Sequence, residues 1–186
     1  MYHALSCKKH GGLILRHDMM KDVLVELCHS ARLSWEVEPQ QALNGCKQRP
    51  DLLIRFAWNG YDAAYDLTIH NPVRDKQAIK STIKNDQKFL KTVDQVKRDK
   101  YQEKCAENGT LFFSIVFSAF GGILEESYHD TIEPLMNKVK TNNFVPPNWA
   151  AHTKTEYWLQ RLAIALWAGN VRKVSPFLKK EPILSF

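Results

Sequence analysis

The 186-residue sequence lacks the features that mark several classes of protein. Its four cysteines form no CxxC pair, so no disulfide framework is predicted, and free thiols in a reducing compartment are expected. No apolar run approaches the roughly 18 residues of a membrane-spanning helix, and Lys8, Lys9 and His10 interrupt the apolar core that a signal peptide needs. Repeats and low-complexity tracts are missing as well, and the composition has none of the biases of collagen, coiled coil or disorder, which excludes these as the main class.

The sequence does contain an ordinary globular composition with an excess of positive charge. Apolar residues make up 44% and charged residues 25% of the chain, and the length suits a single domain spanning residues 1–186. There are 26 Lys and Arg against 20 Asp and Glu, a net charge of +6. This balance favours an acidic partner, of which nucleic acid is the default, although many basic surfaces bind nothing in particular.

Hydrophobic periodicity and turn signals predict an α/β sandwich with a mixed central sheet flanked by helices. Asn59-Gly60 marks a hairpin turn, and Asn108-Gly109 marks the end of a helix. The strand after that helix can pair in parallel because it follows a crossover connection. The predicted elements are a helix over about 16–31, strands over 33–37, 51–57 and 62–70, a lysine-rich helix over 75–91 that continues or restarts over 92–107, a strand over 110–117, and helices around 125–140 and 152–172.

Two aspartates on the predicted hairpin are the first candidates for a site. Asp51 opens one strand and Asp66 lies on the next, and a hairpin centred on Asn59-Gly60 places Asp51 opposite Thr68. Asp66 is then a diagonal neighbour on the same face, roughly 7–8 Å away at Cα. Two carboxylates this close repel each other, and a hard cation such as Mg²⁺ suits their oxygens. Alternatively, Asp51 caps the turn after the preceding proline, and Asp66 is a solvated strand residue.

Alternation along the two strands supports this placement of the aspartates. The residues of the opposite face are apolar and are predicted to point into the core, whereas Leu53 is the exception on the aspartate face. The predicted core residues are Leu52, Ile54, Phe56, Tyr65, Leu67 and Ile69.

Lysines dominate the segment that follows the hairpin. From Arg74 to Lys104 there are ten Lys or Arg and five Asp or Glu, a net charge of +5. A lysine stripe on a helix favours contact with phosphate backbones, although a solvated face is the alternative. A lysine stripe next to two carboxylates suggests a metal nuclease, in which a lysine stabilises the attacking hydroxide or the phosphorane charge. One stripe comprises Lys97, Lys100 and Lys104 with Tyr101, and the other comprises Lys76, Lys80, Lys84, Lys88 and Lys91.

These motifs together resemble the PD-(D/E)XK superfamily of restriction-endonuclease-like nucleases. The order helix, three strands, helix, strand is similar to that superfamily's αβββαβ core and covers about residues 16–118, with residues 123–186 as a C-terminal helical extension. Pro50-Asp51 matches the first half of the motif. Asp66-Leu67-Thr68 stands where the second half belongs, with Thr68 in place of the motif's lysine.

That departure is shared by the restriction-like endonuclease domain of non-LTR retrotransposons, which this chain resembles most closely. The N-terminal segment is also similar, with His3 and Cys7 at HxxxC spacing, a Gly-Gly pair and Arg16-His17-Asp18. In longer relatives HxxxC ends a zinc knuckle, so the resemblance implies that residues 1–12 are a remnant of one, although two ligands alone do not close a zinc site. The other similar motifs are Arg49-Pro50-Asp51, Asp66-Leu67-Thr68-Ile69 and Lys97-Arg98-Asp99-Lys100-Tyr101.

The resemblance implies a role for each principal candidate. Asp51 and Asp66 would bind Mg²⁺ or Mn²⁺ together with the backbone carbonyl of Leu67. Lys97 or Lys100, from the following helix, would replace the missing lysine in space, and Lys97 is slightly favoured. The KxxKY match does not decide between the two lysines.

Accessory residues have two open interpretations each. Tyr101 would touch phosphate or simply pack against the core. His17 would support the site, or else bond to the backbone at the start of its helix. The superfamily often carries an acidic residue in the first helix, for which Glu26 and Asp22 are candidates, with solvation at the edge of the core as the alternative.

Three hypotheses about function follow. The first is a Mg²⁺-dependent DNA endonuclease of retroelement origin, located in the nucleus if the source is eukaryotic and otherwise intracellular. The second is an inactive module with the same fold that binds nucleic acid through its lysine helices. The third is an interaction protein that forms a homodimer through the tryptophan-rich C-terminal helix from Trp149 to Val171, although that helix can equally pack on the sheet. The distances from the two aspartates to Lys97 and Lys100 separate the first two hypotheses most directly.

Overall fold

Helices and strands follow one another in the predicted order. The structure, a computed structural model, describes residues 12–40, 49–73, 79–80, 82, 85–140 and 151–178, with side chains as far as residue 175. No helix in these ranges combines the length and the apolar character that crossing a bilayer requires. The elements are α1 (Gly12–Ser30), β1 (Ser34–Val37), β2 (Leu52–Trp58), β3 (Tyr61–His70), α2 (Asp86–Glu107), β4 (Thr110–Ser118), α3 (Glu125–Ser127), a π-helical turn (Tyr128–Ile132), α4 (Glu133–Lys138) and α5 (Lys154–Leu178).

The described strands form one mixed sheet in the spatial order β1-β2-β3-β4. β1 pairs with β2 and β2 with β3 in antiparallel fashion, whereas β3 and β4 are parallel, with Asp66 opposite Ser114. α2 makes the crossover between the two parallel strands, since such strands cannot be joined by a short turn. The predicted α/β architecture, a mixed sheet flanked by helices, is therefore confirmed.

Helices cover both faces of the sheet. On one face, α1 and α5 pack against each other and share a core with β2, β3 and β4 that includes Leu24, Ile54 and Trp158. On the other face, α2 packs over the strands, and Leu53 lies in a cluster with Tyr101. Leu53 is thus buried on the face that carries Asp66, because α2 closes that face to solvent.

α2 is a single helix with clear start and stop signals. Asn85 caps it, since its side chain accepts a hydrogen bond of 2.8 Å from the backbone N–H of Lys88. The helix ends at Asn108-Gly109 as predicted, where Gly109 has a φ of 65°. The helix therefore continues through residues 91 and 92 without restarting. The helix predicted over 75–91 is interrupted, however, because Asn85 is extended (φ −167°, ψ 106°) and α2 begins at Asp86. Residues 79, 80 and 82 are helical, and residues 74–78, 81, 83 and 84 lie outside the described part of the chain.

The β2–β3 hairpin differs from the simple register expected from its turn. Asn59-Gly60 does form the turn, and both residues have positive φ, as turns of this kind require. Leu52 is opposite Tyr65, however, because a bulge in the middle of β2 adds two residues to that strand only. The prediction that Asp51 lies opposite Thr68 was therefore wrong: Asp51 directly precedes β2, and its backbone N–H donates to the Tyr65 carbonyl.

The same bulge turns Phe56 out of the core. This predicted core residue is 75% exposed and has a φ of 49°, which is unusual for a non-glycine residue. Asp62 holds the bulge in place: its Oδ1 accepts the Phe56 N–H at 2.9 Å, and its Oδ2 accepts the Arg55 guanidinium at 2.7 Å. The remaining predicted core residues of the two strands do face the core, fully or in part.

The C-terminal half contains the two expected helices with different bounds. The helix predicted around 125–140 is divided into α3, a π-helical turn and α4. α5 matches the helix predicted over 152–172 and extends beyond it, and its Trp158 is buried in the shared core. This helix therefore packs on the sheet, while its Trp167 is exposed. His3 and Cys7 lie outside the described residues, so the zinc-knuckle prediction stays a prediction.

Candidate active site

The two candidate aspartates lie where β2 begins beside β3. The backbone N–H of Asp51 donates to the Tyr65 carbonyl at 2.9 Å, and Asp51 Oδ2 accepts the Leu67 N–H at 2.7 Å. Asp51 is therefore bonded to the residues on both sides of Asp66. The structure brings the two aspartates together as the hairpin predicts, although through a different register.

His17 reaches this junction from α1. Its Nε2 lies 3.1 Å from Asp51 Oδ2 and 3.2 Å from the Leu67 carbonyl oxygen. A carbonyl oxygen can only accept, so Nε2 carries the proton and donates to both oxygens. Burial lowers the pKa of His17, but the hydrogen bond and the charge of Asp51 raise it by more, so the pKa lies above its usual 6.5. His17 thus contacts the site and does not bond to the backbone of its own helix start.

Asp66 is the buried member of the pair and meets a lysine from α2. The Nζ atom of Lys97 lies 2.7 Å from Asp66 Oδ2, and the Thr68 hydroxyl donates to the same oxygen at 3.4 Å. Burial raises the pKa of the Asp66 carboxyl and the charge of Asp51 raises it further, which together outweigh the lowering by Lys97 and Tyr101. Positive charge nearby therefore strongly favours the ionised form of this carboxylate.

Lys100 points elsewhere. Its Nζ donates to the Tyr101 hydroxyl at 2.9 Å and lies 4.4 Å from the centre of that ring. The Tyr101 hydroxyl in turn donates to the Arg49 carbonyl at 3.4 Å, and the ring stacks on Phe112 with centroids 5.3 Å apart. Of the two candidate lysines, Lys97 is therefore the one that contacts a carboxylate. Tyr101 is buried against Phe112, as the packing interpretation expects, and its hydroxyl also hydrogen-bonds Asp66.

The two predicted lysine stripes do not form one surface. Lys91 and Lys100 are nine residues apart, about two and a half turns, so they lie on opposite sides of α2. Lys91 forms an ion pair with Glu126, and Arg98 binds Asp94 at 2.6 Å, so much of the charge on that side is matched. Lys97, Lys100 and Lys104 share the side next to the aspartates; Lys80 and Lys88 are exposed, and Lys76 and Lys84 lie outside the described residues.

Glu26 is not brought to the aspartates. Its carboxylate forms an ion pair with Arg161 on α5, and it follows His17 by nine residues, about 13 Å along the helix. Asp22 is exposed and has no described contact with the site residues. The acidic residue of α1 nearest the junction is Asp18, whose carboxylate lies 3.7 Å from His17 Nδ1.

Sequence reasoning missed a supporting ion pair beside Asp51. Lys21 is almost fully buried, forms an ion pair with Glu38 and lies 3.2 Å from the Asp18 carboxylate. The backbone N–H of Glu38 donates to the Asp51 carbonyl at 3.0 Å. The i,i+3 spacing of Asp18 and Lys21 was the only available signal, because Glu38 approaches through tertiary structure.

The donor set at this junction is made of oxygens. Two carboxylates and the Leu67 carbonyl suit a hard cation such as Mg²⁺ or Mn²⁺, and the raised pKa of Asp66 is relieved by added positive charge. Within the described residues, no group of three or more His, Cys, Asp and Glu side chains is arranged to hold a metal ion. Mg²⁺ is usually bound by one or two carboxylates plus waters and substrate phosphates, so two aspartates are compatible with it.

Comparison of the sequence with protein-family models and curated proteins finds no match. No protein-family model matches the chain, and no curated protein matches its sequence. The similarity to PD-(D/E)XK nucleases consequently rests on motifs and element order, and the chemistry of the site rests on its own contacts.

Proposed function

We propose that the chain is a metal-dependent DNA endonuclease with a restriction-endonuclease-like core, because a carboxylate pair beside a lysine-bearing helix suits metal-assisted phosphodiester hydrolysis. The observation that carries the proposal is the position of Lys97, whose Nζ lies 2.7 Å from Asp66, while Asp51 directly precedes the neighbouring strand β2. A lysine is missing from the motif position occupied by Thr68, and α2 supplies one in space. Retroelement origin and a nuclear location in a eukaryotic source belong to the same proposal.

Each residue of the junction has a part in the proposed phosphodiester hydrolysis. A bound Mg²⁺ would polarise the phosphate and lower the pKa of a water molecule. Asp51, Asp66 and the Leu67 carbonyl would hold that ion. Lys97 binds the attacking hydroxide or a phosphate oxygen, where negative charge grows during the reaction. The Nε2–H of His17 donates to two of the oxygens that would bind the metal and so fixes their positions.

Plasmid nicking tests this function. Purified protein is expected to nick supercoiled DNA in Mg²⁺ or Mn²⁺, and Asp51→Asn, Asp66→Asn and Lys97→Met are each expected to lose at least about a hundredfold in rate. Glu26→Gln is the matched control, because its carboxylate binds Arg161 away from the junction. The proposal is refuted if the folded wild-type protein does not nick DNA with either Mg²⁺ or Mn²⁺.

A catalytically inactive nucleic-acid-binding module is the alternative. Thr68 at the motif's lysine position favours it, as does the side of α2 that carries Lys97, Lys100 and Lys104. Its signature would be binding to DNA that weakens steeply with salt, survives Asp51→Asn and is never followed by cleavage. Loss of binding in Lys100→Met with retained binding in Lys91→Met would locate the phosphate contacts on the side of α2 next to the aspartates.

A homodimer through α5 also stays a prediction. Ile164, Trp167 and Val171 are exposed at spacings that place them along one side of that helix. A stable monomer in a mass measurement by size exclusion would contradict it.

A further inference from the structure

The oxygens proposed to bind a metal ion are already contacted by positive or proton-donating groups of the chain. Lys97 lies 2.7 Å from Asp66 Oδ2, and His17 Nε2 donates to Asp51 Oδ2 and to the Leu67 carbonyl oxygen. A divalent ion therefore has to compete with these groups for the same oxygens. The ion-binding affinity of the junction depends on where the lysine ammonium is.

Lys97 and Asp66 differ in how freely they can move. The Asp66 side chain is 5% exposed, and its backbone lies in β3 between paired strands on both sides. The Lys97 side chain is 24% exposed and sits on the lysine-bearing side of α2 with Lys100 and Lys104. A flexible four-carbon stem lets the Lys97 ammonium leave Asp66, whereas Asp66 cannot follow it. A phosphate group arriving on this side of α2 is an alternative anion for that ammonium.

We propose that Lys97 couples the binding of the divalent ion to the binding of nucleic acid. The ammonium holds Asp66 until a phosphate of the nucleic acid takes it over, which frees Asp66 Oδ2 for the ion. Ion affinity then rises when nucleic acid is bound, and by thermodynamic reciprocity nucleic-acid affinity rises by the same factor when the ion is bound. This inference rests on the proposed nuclease site and adds to it an order of assembly.

Calorimetric titration with Ca²⁺ measures the coupling without requiring cleavage, because Ca²⁺ binds the same kind of oxygen ligands. Wild-type protein is titrated with and without a short DNA duplex, and the duplex is expected to tighten Ca²⁺ binding by about tenfold, within the usual range for coupled sites. Lys97→Met without DNA is expected to bind Ca²⁺ about tenfold more tightly than wild type, since the competing ammonium is gone.

Lys100→Met is the matched control. It removes the same charge one turn along the same side of α2, but its ammonium binds the Tyr101 hydroxyl and no aspartate. Its Ca²⁺ affinity without DNA is expected to stay within about twofold of wild type, because the half-buried Lys100 ammonium bonds to the Tyr101 hydroxyl and does not compete directly for an oxygen of either aspartate. Equal gains in Lys97→Met and Lys100→Met, an unchanged Lys97→Met, or no Ca²⁺ binding under any condition would overturn the inference.

Two further measurements separate this inference from the proposed function. DNA affinity of the wild type, measured by fluorescence anisotropy with and without Ca²⁺, must change by the same factor as Ca²⁺ affinity, and this needs no variant that could fail to fold. Plasmid nicking is assayed on the same samples. Nicking without coupling removes the role of Lys97 in coupling and leaves the endonuclease, whereas coupling without nicking leaves the coupled site on an inactive module.

Discussion

The two partners of the Lys97–Asp66 ion pair differ in burial, since Asp66 is the more deeply buried. This difference predicts opposite effects on stability when each partner is replaced. At 2.7 Å and an effective dielectric constant of 20, the attraction is about 6 kcal/mol. Burying each ion costs several kcal/mol, so the net value of the pair is small. Removing Lys97 leaves the buried Asp66 charge uncompensated, whereas removing the charge of Asp66 leaves a lysine that can return to water. The first change should destabilise the fold and the second should not.

The expected magnitudes follow from burial and pKa. Lys97→Met is expected to lower the free energy of unfolding by about 3 kcal/mol, which is typical of an uncompensated buried charge. Asp66→Asn is expected to raise it by about 1 kcal/mol, because burial and then Asp51 raise the pKa of Asp66 despite Lys97. For a chain of this size about 1 kcal/mol corresponds to about 2–4 °C in Tm. The double variant Lys97→Met/Asp66→Asn should recover most of the loss.

Thermal and denaturant unfolding of the four proteins near neutral pH measures this cycle. A raised pKa means that the folded state keeps the Asp66 proton to higher pH than the unfolded chain does, so stability falls as the pH rises above 3.8 through the folded-state pKa. The advantage of Asp66→Asn should therefore shrink as the pH is lowered towards 3.8. The reasoning is refuted if Asp66→Asn is less stable than wild type near neutral pH, or if Lys97→Met loses no more than Lys100→Met.

Three further predictions concern other contacts. His17 has a raised pKa beside Asp51, so the stability that their pairing adds is present below pH 6.5 and lost as the pH rises through the folded-state pKa; His17→Gln should differ most from wild type in mildly acidic unfolding experiments. Asn170→Ala should lose about 3 kcal/mol in denaturant unfolding, because the buried Arg16 guanidinium loses its 2.8 Å bond to Asn170 and a backbone carbonyl loses its donor. Phe56→Gly should gain about 1 kcal/mol in thermal unfolding, since it relieves a positive φ at an exposed position; a loss would show that the aromatic ring stabilises the hairpin.

The sequence predicted the elements of the fold well because their signals are local. Apolar residues three and four apart in α1 face the core, and Asn59-Gly60 and Asn108-Gly109 end elements where expected. The hairpin register was missed because the bulge in β2 depends on contacts made by the Asp62 side chain. Strand alternation contains no sign of such a contact, so Phe56 was placed in the core.

The candidate site divides in the same way between sequence and tertiary structure. Residue types and motif spacing were enough to select Asp51, Asp66 and a lysine of α2, because those choices depend on chemistry and chain order. The choice of Lys97 over Lys100 depended on how α2 docks on the sheet: three residues rotate a side chain by about 300°, and only the packed helix shows which lysine meets Asp66. The contacts of His17 with Asp51 and Leu67 likewise arise only when α1 packs beside β3, since they join residues distant in the chain.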